Sequence, residues 1–182
     1  MSASTLTSLT IRLASPEATY DFGKQLGATL AAGQVVALSG DLGAGKTTLT
    51  QGIAAGMGIK SRVTSPTFTL INQYQPGERR LLLVHIDTYR LGGDDTVAAQ
   101  AEAADLGLSE IMSDAAFADD HADGAIVVIE WAERIADLLP PDTLYIELTP
   151  VPDDANARFA TLTTASIEVA DRLKSLSPGT QN

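Results

Sequence analysis

The chain has no cysteine at all. Disulfide frameworks, thiolate nucleophiles and cysteine-ligated zinc are excluded with it, and a reducing compartment fits. Positive charge is scarce: 12 Lys and Arg stand against 23 Asp and Glu, for a net charge of -11 and a pI near 4.4. Nucleic-acid backbones are held by clustered Lys and Arg that release counterions, so a chain this acidic does not grip RNA unaided. Long apolar runs are missing as well. No segment reaches membrane-spanning length, and the first residues, M-S-A-S-T-L-T-S-L-T, carry no basic stretch ahead of an apolar one. A soluble, cytoplasmic protein is expected.

Length and composition allow one respectable core and little more, with 182 residues of which 45% are hydrophobic. A single domain is expected over residues 1–176, with a disordered tail over 177–182. The elements alternate in the manner of a layered α/β domain with a central, mostly parallel sheet flanked by helices. A strand is expected over Thr7–Ala14, where Leu9, Ile11 and Leu13 alternate with polar neighbours. Ser15-Pro16-Glu17 opens a helix as cap, first-turn proline and first-turn acid; it runs to Ala31, and Gly33 ends it. Val35–Ser39 is a short aliphatic strand and Lys46–Met57 a helix. Thr67–Tyr74 and Arg80–Asp87 read as an antiparallel hairpin about the turn Q75-P-G-E78. Beyond it come a helix over Thr96–Met112, a buried strand over Ala125–Glu130 and a short helix over Trp131–Leu139 stopped by Pro140-Pro141. Strands over Thr143–Leu148 and Arg158–Thr164 and a helix over Ala165–Leu176 complete the chain.

Between Val35–Ser39 and the helix that follows lies S39-G-D-L-G-A-G-K-T-T-L49, a full G-x-x-x-x-G-K-[ST] phosphate loop with Gly40, Gly45, Lys46 and Thr47 in register. Such a loop turns successive backbone N–H groups on a phosphate chain, and the helix behind it adds its positive end. The cradle is Asp41, Leu42, Gly43, Ala44, Gly45, Lys46, Thr47 and Thr48. Lys46 reaches the β- and γ-phosphates, and the Thr47 hydroxyl is a magnesium ligand whose shell phosphate oxygens and water complete. Hydrolysis also needs a strand-end carboxylate. Two aliphatic runs end in one, L81-L-L-V-H-I-D87 and A125-I-V-V-I-E130, and spacing does not rank Asp87 against Glu130; they share the work of metal and water. A γ-phosphate sensor belongs on a hydroxyl-rich loop after the first helix, and K60-S-R-V-T-S-P-T67 is placed for it.

Missing signatures narrow the reading. There is no N-K-x-D box, so GTP is not favoured over ATP, and no L-S-G-G-Q segment of transporter ATPases. From Leu91 to Glu133 there is no Lys or Arg, which speaks against the arginine-rich lid of a phosphoryl-transferring kinase. The nine acids between Leu91 and Gly124 read either as a solvated surface or as a docking face for a basic partner.

Taken together, G40-D-L-G-A-G-K-T-T48, S65-P-T-F-T-L70, H85-I-D-T-Y-R-L91 and I129-E-W-A-E-R134 resemble the TsaE family, formerly YjeE, over Leu9 to Ile135. The resemblance implies a P-loop ATPase using ATP and Mg2+. It implies that Thr67 is the switch residue, that Asp87 lies by the catalytic water and the metal shell and that Trp131, the one tryptophan, lies near the nucleotide. Glu130 would be the second strand-end acid and, with Thr47, a metal residue; Lys46, Asp87, Glu130 and Thr67 are the expected catalytic set. Tyr89 and Arg90 belong to the same motif without an assigned role, and His85 is expected to pack or hydrogen-bond in its strand rather than ligate metal.

The job implied is ATP-driven support of a transferase, TsaD bound to TsaB, that places threonylcarbamoyl on an adenosine beside the tRNA anticodon. The RNA would be touched only indirectly. The family's usual E-W-P is E130-W-A132 here, which leaves the local turn open. The alternatives are a small-molecule kinase built on the same loop and a nucleotide-gated binding protein in which hydrolysis hardly matters.

Overall fold

The computed structural model describes residues 7–117, 122–174 and 176; the expected tail over 177–182 lies outside them. It contains one seven-stranded sheet. The strands are β1 (Thr7–Leu13), β2 (Val35–Ser39), β3 (Ile71–Tyr74), β4 (Leu82–Asp87), β5 (Ala125–Glu130), β6 (Leu144–Val151) and β7 (Asp154–Thr164). Their order is β1-β7-β6-β2-β5-β4-β3. The strands β6, β2, β5 and β4 run parallel at the centre. Antiparallel pairs close both sides, β3 on β4 and β7 between β6 and β1. The expected hairpin is therefore present, and the last two strands form a second one.

The central strands are aliphatic on both faces, as a sheet covered by helices on both sides requires. One face holds Val36, Leu38, Leu83, Ile126, Val128 and Ile146 and packs on α1 (Pro16–Thr29) and α2 (Lys46–Gly56) through Leu26, Leu49 and Ile53. The other holds Val35, Ala37, Val84, Ile86, Val127 and Ile129 and is covered by α3 (Thr96–Asp105) and α4 (Leu108–Asp114) through Ala99, Ala103, Leu108 and Met112. A short 3-10 segment over Ala132–Leu138 and the helix α5 (Ile167–Lys174) complete the described elements.

Local chemistry explains the boundaries. Ser15 caps α1, its hydroxyl accepting from the Ala18 N–H at 3.2 Å, with Pro16 in the first turn. The other end of α1 is held by Arg79, whose guanidinium donates to the Gly27 and Leu30 carbonyls. The closest helix contact is between α1 and α2. A Cβ on Gly27 would lie 2.1 Å from the Ile53 carbonyl oxygen, and one on Gly52 would lie 2.2 Å from that of Tyr20. The two helices meet backbone to backbone.

Four expectations need correction. The run Thr67–Tyr74 is strand only from Ile71, because the Pro66 carbonyl captures the Thr69 and Leu70 N–H groups and makes residues 67–70 a turn. The helix expected over Thr96–Met112 is two helices, divided at Gly107, whose φ of 72° is left-handed. The helix after Trp131 is 3-10 with a kink at Ile135. The last two strands extend toward each other as far as Val151 and Asp154, joined through Asp153 at φ 65°. The described acids of the Leu91–Gly124 segment, from Asp94 to Asp123, are exposed, while Leu91, Ala99, Ala103, Leu108 and Ala115 lie in the core. No helix among the described residues is long and apolar enough to cross a membrane.

Candidate functional site

At the carboxyl ends of β2, β5 and β4 lies a cavity of about 370 Å³, where open α/β sheets place their ligands. Residues 42–48 of the glycine loop form one wall. Ser65, Thr67, Asp87, Glu130 and Trp131 form the others. The sequence-predicted residues are thus brought together from elements far apart in the chain. Asp41 alone stands off the wall, entering through its backbone carbonyl.

The loop has the backbone that a phosphate cradle requires. Gly40, Gly43 and Gly45 have φ of 129°, 79° and 107°, conformations that only glycine holds without strain. At Gly40 space is also decisive, since a Cβ there would sit 2.4 Å from the Leu148 carbonyl oxygen of β6. The first amide of α2 to bond back is that of Leu49, to Gly45 at 2.9 Å. First-turn amides ahead of it have no intrahelical acceptor and point toward the cavity end of the helix. From the far side Arg158 of β7 donates to the Ala44 and Gly43 carbonyls at 3.2 and 3.3 Å, holding the loop's acceptors away from the cavity.

Lys46 is folded over the loop. Its ammonium donates to the Gly40 carbonyl and, at 3.0 Å, to that of Asp41, and it lies 3.6 Å from the centroid of the Trp131 ring. Burial lowers its pKa from the ordinary lysine value; the charge of Glu130, then those of Glu133, Asp87 and Asp41, work the other way. The side chain is 5% exposed.

Two carboxylates flank each other at the ends of adjacent parallel strands, Asp87 opposite Glu130 in register, and they have different partners. Glu130 accepts from the Thr47 hydroxyl, at 2.9 Å to Oε1 and 3.0 Å to Oε2, and its Oε1 lies 2.8 Å from His85 Nε2. Asp87 Oδ2 accepts from the Ser65 hydroxyl at 2.6 Å and the Thr67 hydroxyl at 2.7 Å, while Oδ1 accepts from the Tyr89 N–H at 3.0 Å. Spacing along the sequence left the two acids unranked. In space Glu130 addresses the phosphate loop and Asp87 the hydroxyl-rich turn.

The turn after Glu130 is made by Trp131 itself, at φ 59°. This left-handed backbone is rare for a large side chain and survives where neighbours over-determine it. Thr88, fully buried, supplies the restraint: its hydroxyl is shared between the Glu130 carbonyl at 3.1 Å and the Trp131 carbonyl at 2.7 Å. Tyr89 packs against the Trp131 ring, the centroids 4.9 Å apart and the planes tilted by 45°. At the rim Phe68 is 86% exposed, with the Arg90 guanidinium 4.3 Å over its ring.

No group of three or more His, Asp or Glu that could hold a metal is found among the described residues. A caged metal is not what these residues fit. They fit a magnesium ion that arrives with phosphate oxygens and keeps much of its water, for which one hydroxyl and one nearby carboxylate suffice.

The profile of the family described as "Threonylcarbamoyl adenosine biosynthesis protein TsaE" matches residues 13–158. The chain belongs to the TsaE family. A TsaE protein from a Nostoc species, named for tRNA threonylcarbamoyladenosine biosynthesis, is 40% identical over 161 residues, 88% of this chain and 89% of its own. The TsaE protein of Bacillus subtilis, named in the same way, is 40% identical over 143 residues, 79% and 78% of the two chains. The crystal structure of YdiB from that organism superposes with a TM-score of 0.71 at 33% identity, covering 95% of this chain and 96% of its own. These relatives lend no support to the kinase alternative.

Within the TsaE motifs, sequence reasoning left Ser65 and Thr88 without roles although both bond directly to the site. Arg158 was read only as the start of a strand. The signal for Ser65 was present, two hydroxyls flanking a proline before a strand-end Asp, but their convergence on one carboxylate oxygen is a fact of the fold.

Proposed function

We propose that this protein binds and hydrolyses ATP with magnesium in the cytoplasm, and that hydrolysis drives the tRNA threonylcarbamoyladenosine machinery as an accessory to a TsaD–TsaB type transferase. The observation that carries this reading is the division of the two carboxylates, Glu130 on the Thr47 hydroxyl and Asp87 on the Ser65 and Thr67 hydroxyls. One acid is set for a metal and the other for the nucleophile.

The residues then act as follows. The amides of residues 42–48 receive the phosphate chain, and Lys46 exchanges its loop carbonyls for β- and γ-phosphate oxygens. Thr47 and Glu130 would hold magnesium, whose charge would offset that of the phosphates. Thr67 leaves Asp87 for the γ-phosphate, and Oδ2, still held by the Ser65 hydroxyl, accepts a hydrogen bond from the attacking water in its place. That water's oxygen bonds to the γ-phosphorus as the bond to the β–γ bridging oxygen breaks and one water proton passes to Asp87; ADP and phosphate leave, and the proton is released to solvent. Trp131, over Lys46, shields the charge from bulk solvent. The acidic surface fits a protein that meets RNA only through its partner.

The test is ATP hydrolysis by the purified chain, alone and with a TsaB and TsaD pair, without any small-molecule acceptor. Stimulation of tenfold or so by the pair is expected, and phosphate appearing on a metabolite would overturn the reading. Glu130→Gln separates hydrolysis from gating: it should stop turnover while leaving nucleotide bound at saturating magnesium, whereas Lys46→Ala should weaken binding itself by roughly 10- to 100-fold.

A further inference from the structure

Beneath the mouth of the site, the face that β2, β5 and β4 turn toward α1 and α2 is apolar except at one position. Leu83 of β4 and Ile126 and Val128 of β5 lie on that face, in one core cluster with Leu49 and Ile53 of α2. Side chains alternate along a strand, so His85 shares the face of Leu83 and Asp87, in register with Val128. It is 0% exposed. Its Nδ1 is buried and has no hydrogen-bond partner among the described residues. An aliphatic side chain would fill the row without that cost, because a buried polar atom left unpaired opposes folding.

What an aliphatic side chain lacks is a donor. With the hydrogen on Nε2, His85 donates to Glu130 Oε1 at 2.8 Å, an oxygen that also accepts from the Thr47 hydroxyl at 2.9 Å. We infer that His85 is a positioning residue that fixes the Glu130 carboxylate facing Thr47. Its grip persists when the Thr47 hydroxyl turns away to a magnesium–nucleotide complex and Glu130 loses its other side-chain donors. Groups that orient ligating carboxylates tune metal affinity without touching the metal. This inference rests on the reading of the cavity as a magnesium–ATP site.

The test compares wild type, His85→Leu and His85→Gln, the last carrying an N–H donor near the place of Nε2. Two quantities are read: the thermal midpoint without nucleotide, and the magnesium concentration giving half-maximal binding of a fluorescent ATP analogue. A residue that only fills the core would move the midpoint and leave the magnesium requirement alone. The expected result is the reverse. His85→Leu keeps a midpoint equal to or above that of wild type while needing roughly tenfold more magnesium, and His85→Gln recovers most of the loss. An unchanged magnesium requirement in His85→Leu, or a folded His85→Gln as impaired as His85→Leu, overturns the inference and leaves the ATPase reading standing. Magnesium-independent analogue binding by wild type would instead strike the ATPase reading and carry the inference down with it.

Discussion

Lys46 carries a charge the fold pushes inward and the ligand needs outward. Burial lowers its pKa against the attraction of Glu130, Glu133, Asp87 and Asp41, so in the window between that lowered value and the ordinary lysine value of 10.5 the unfolded chain binds more protons than the folded one. Stability of the nucleotide-free protein therefore gains with rising pH across that window from this residue. Lys46→Met removes the effect. Thermal unfolding of both proteins at neutral pH and near pH 9.5 should show the midpoint difference shifting toward wild type at the higher pH, and a constant difference would contradict the burial argument. Lys46 and Thr47 were legible in the sequence because a phosphate loop is a local motif, its parts adjacent along the chain. His85, Thr88 and Arg158 were not, because their partners Glu130, Trp131 and Ala44 lie 45, 43 and 114 positions away.

At the level of elements, strand and helix types followed from periodicity, while the departures came from single backbone bonds. Pro66 turns residues 67–70 out of the strand, and Gly107 divides α3 from α4; neither effect is visible in composition. The pairing of α1 with α2 was equally hidden, since glycine within a helix lowers propensity without announcing a contact. Gly27→Ala would press a methyl group against the Ile53 carbonyl, with backbone on both sides and no side chain able to yield. Loss of about 3 kcal/mol is expected by urea unfolding, the upper end for overpacking, while Ala28→Ser, on the same helix and exposed as Ala28 is, should cost under about 0.5 kcal/mol.

For the whole molecule, β2, β5 and β4 gather the glycine loop, Glu130 and Asp87 at one edge, so a ligand there ties three parts of the chain that lie far apart in sequence. A ligand bound only by the folded state at about 100 times its Kd adds about 2.7 kcal/mol, or roughly 5–10 °C in midpoint for a chain of this size. Magnesium and a non-hydrolysable ATP analogue should produce that rise, and EDTA should remove most of it; an equal rise without magnesium would argue against Thr47 and Glu130 as its holders. The order of the sheet was not legible, because parallel or antiparallel pairing of distant strands leaves no local trace. The glycine seam between α1 and α2 bears on how such a protein could signal. A helix seated directly on another's backbone has no side-chain cushion to compress, so in the ATPase cycle proposed above α2 and the loop at its head would be the stator. The stroke would then belong to residues 64–70, tethered to Asp87 by two hydroxyls and carrying the exposed ring of Phe68, where a partner would sense the nucleotide as a change of contour.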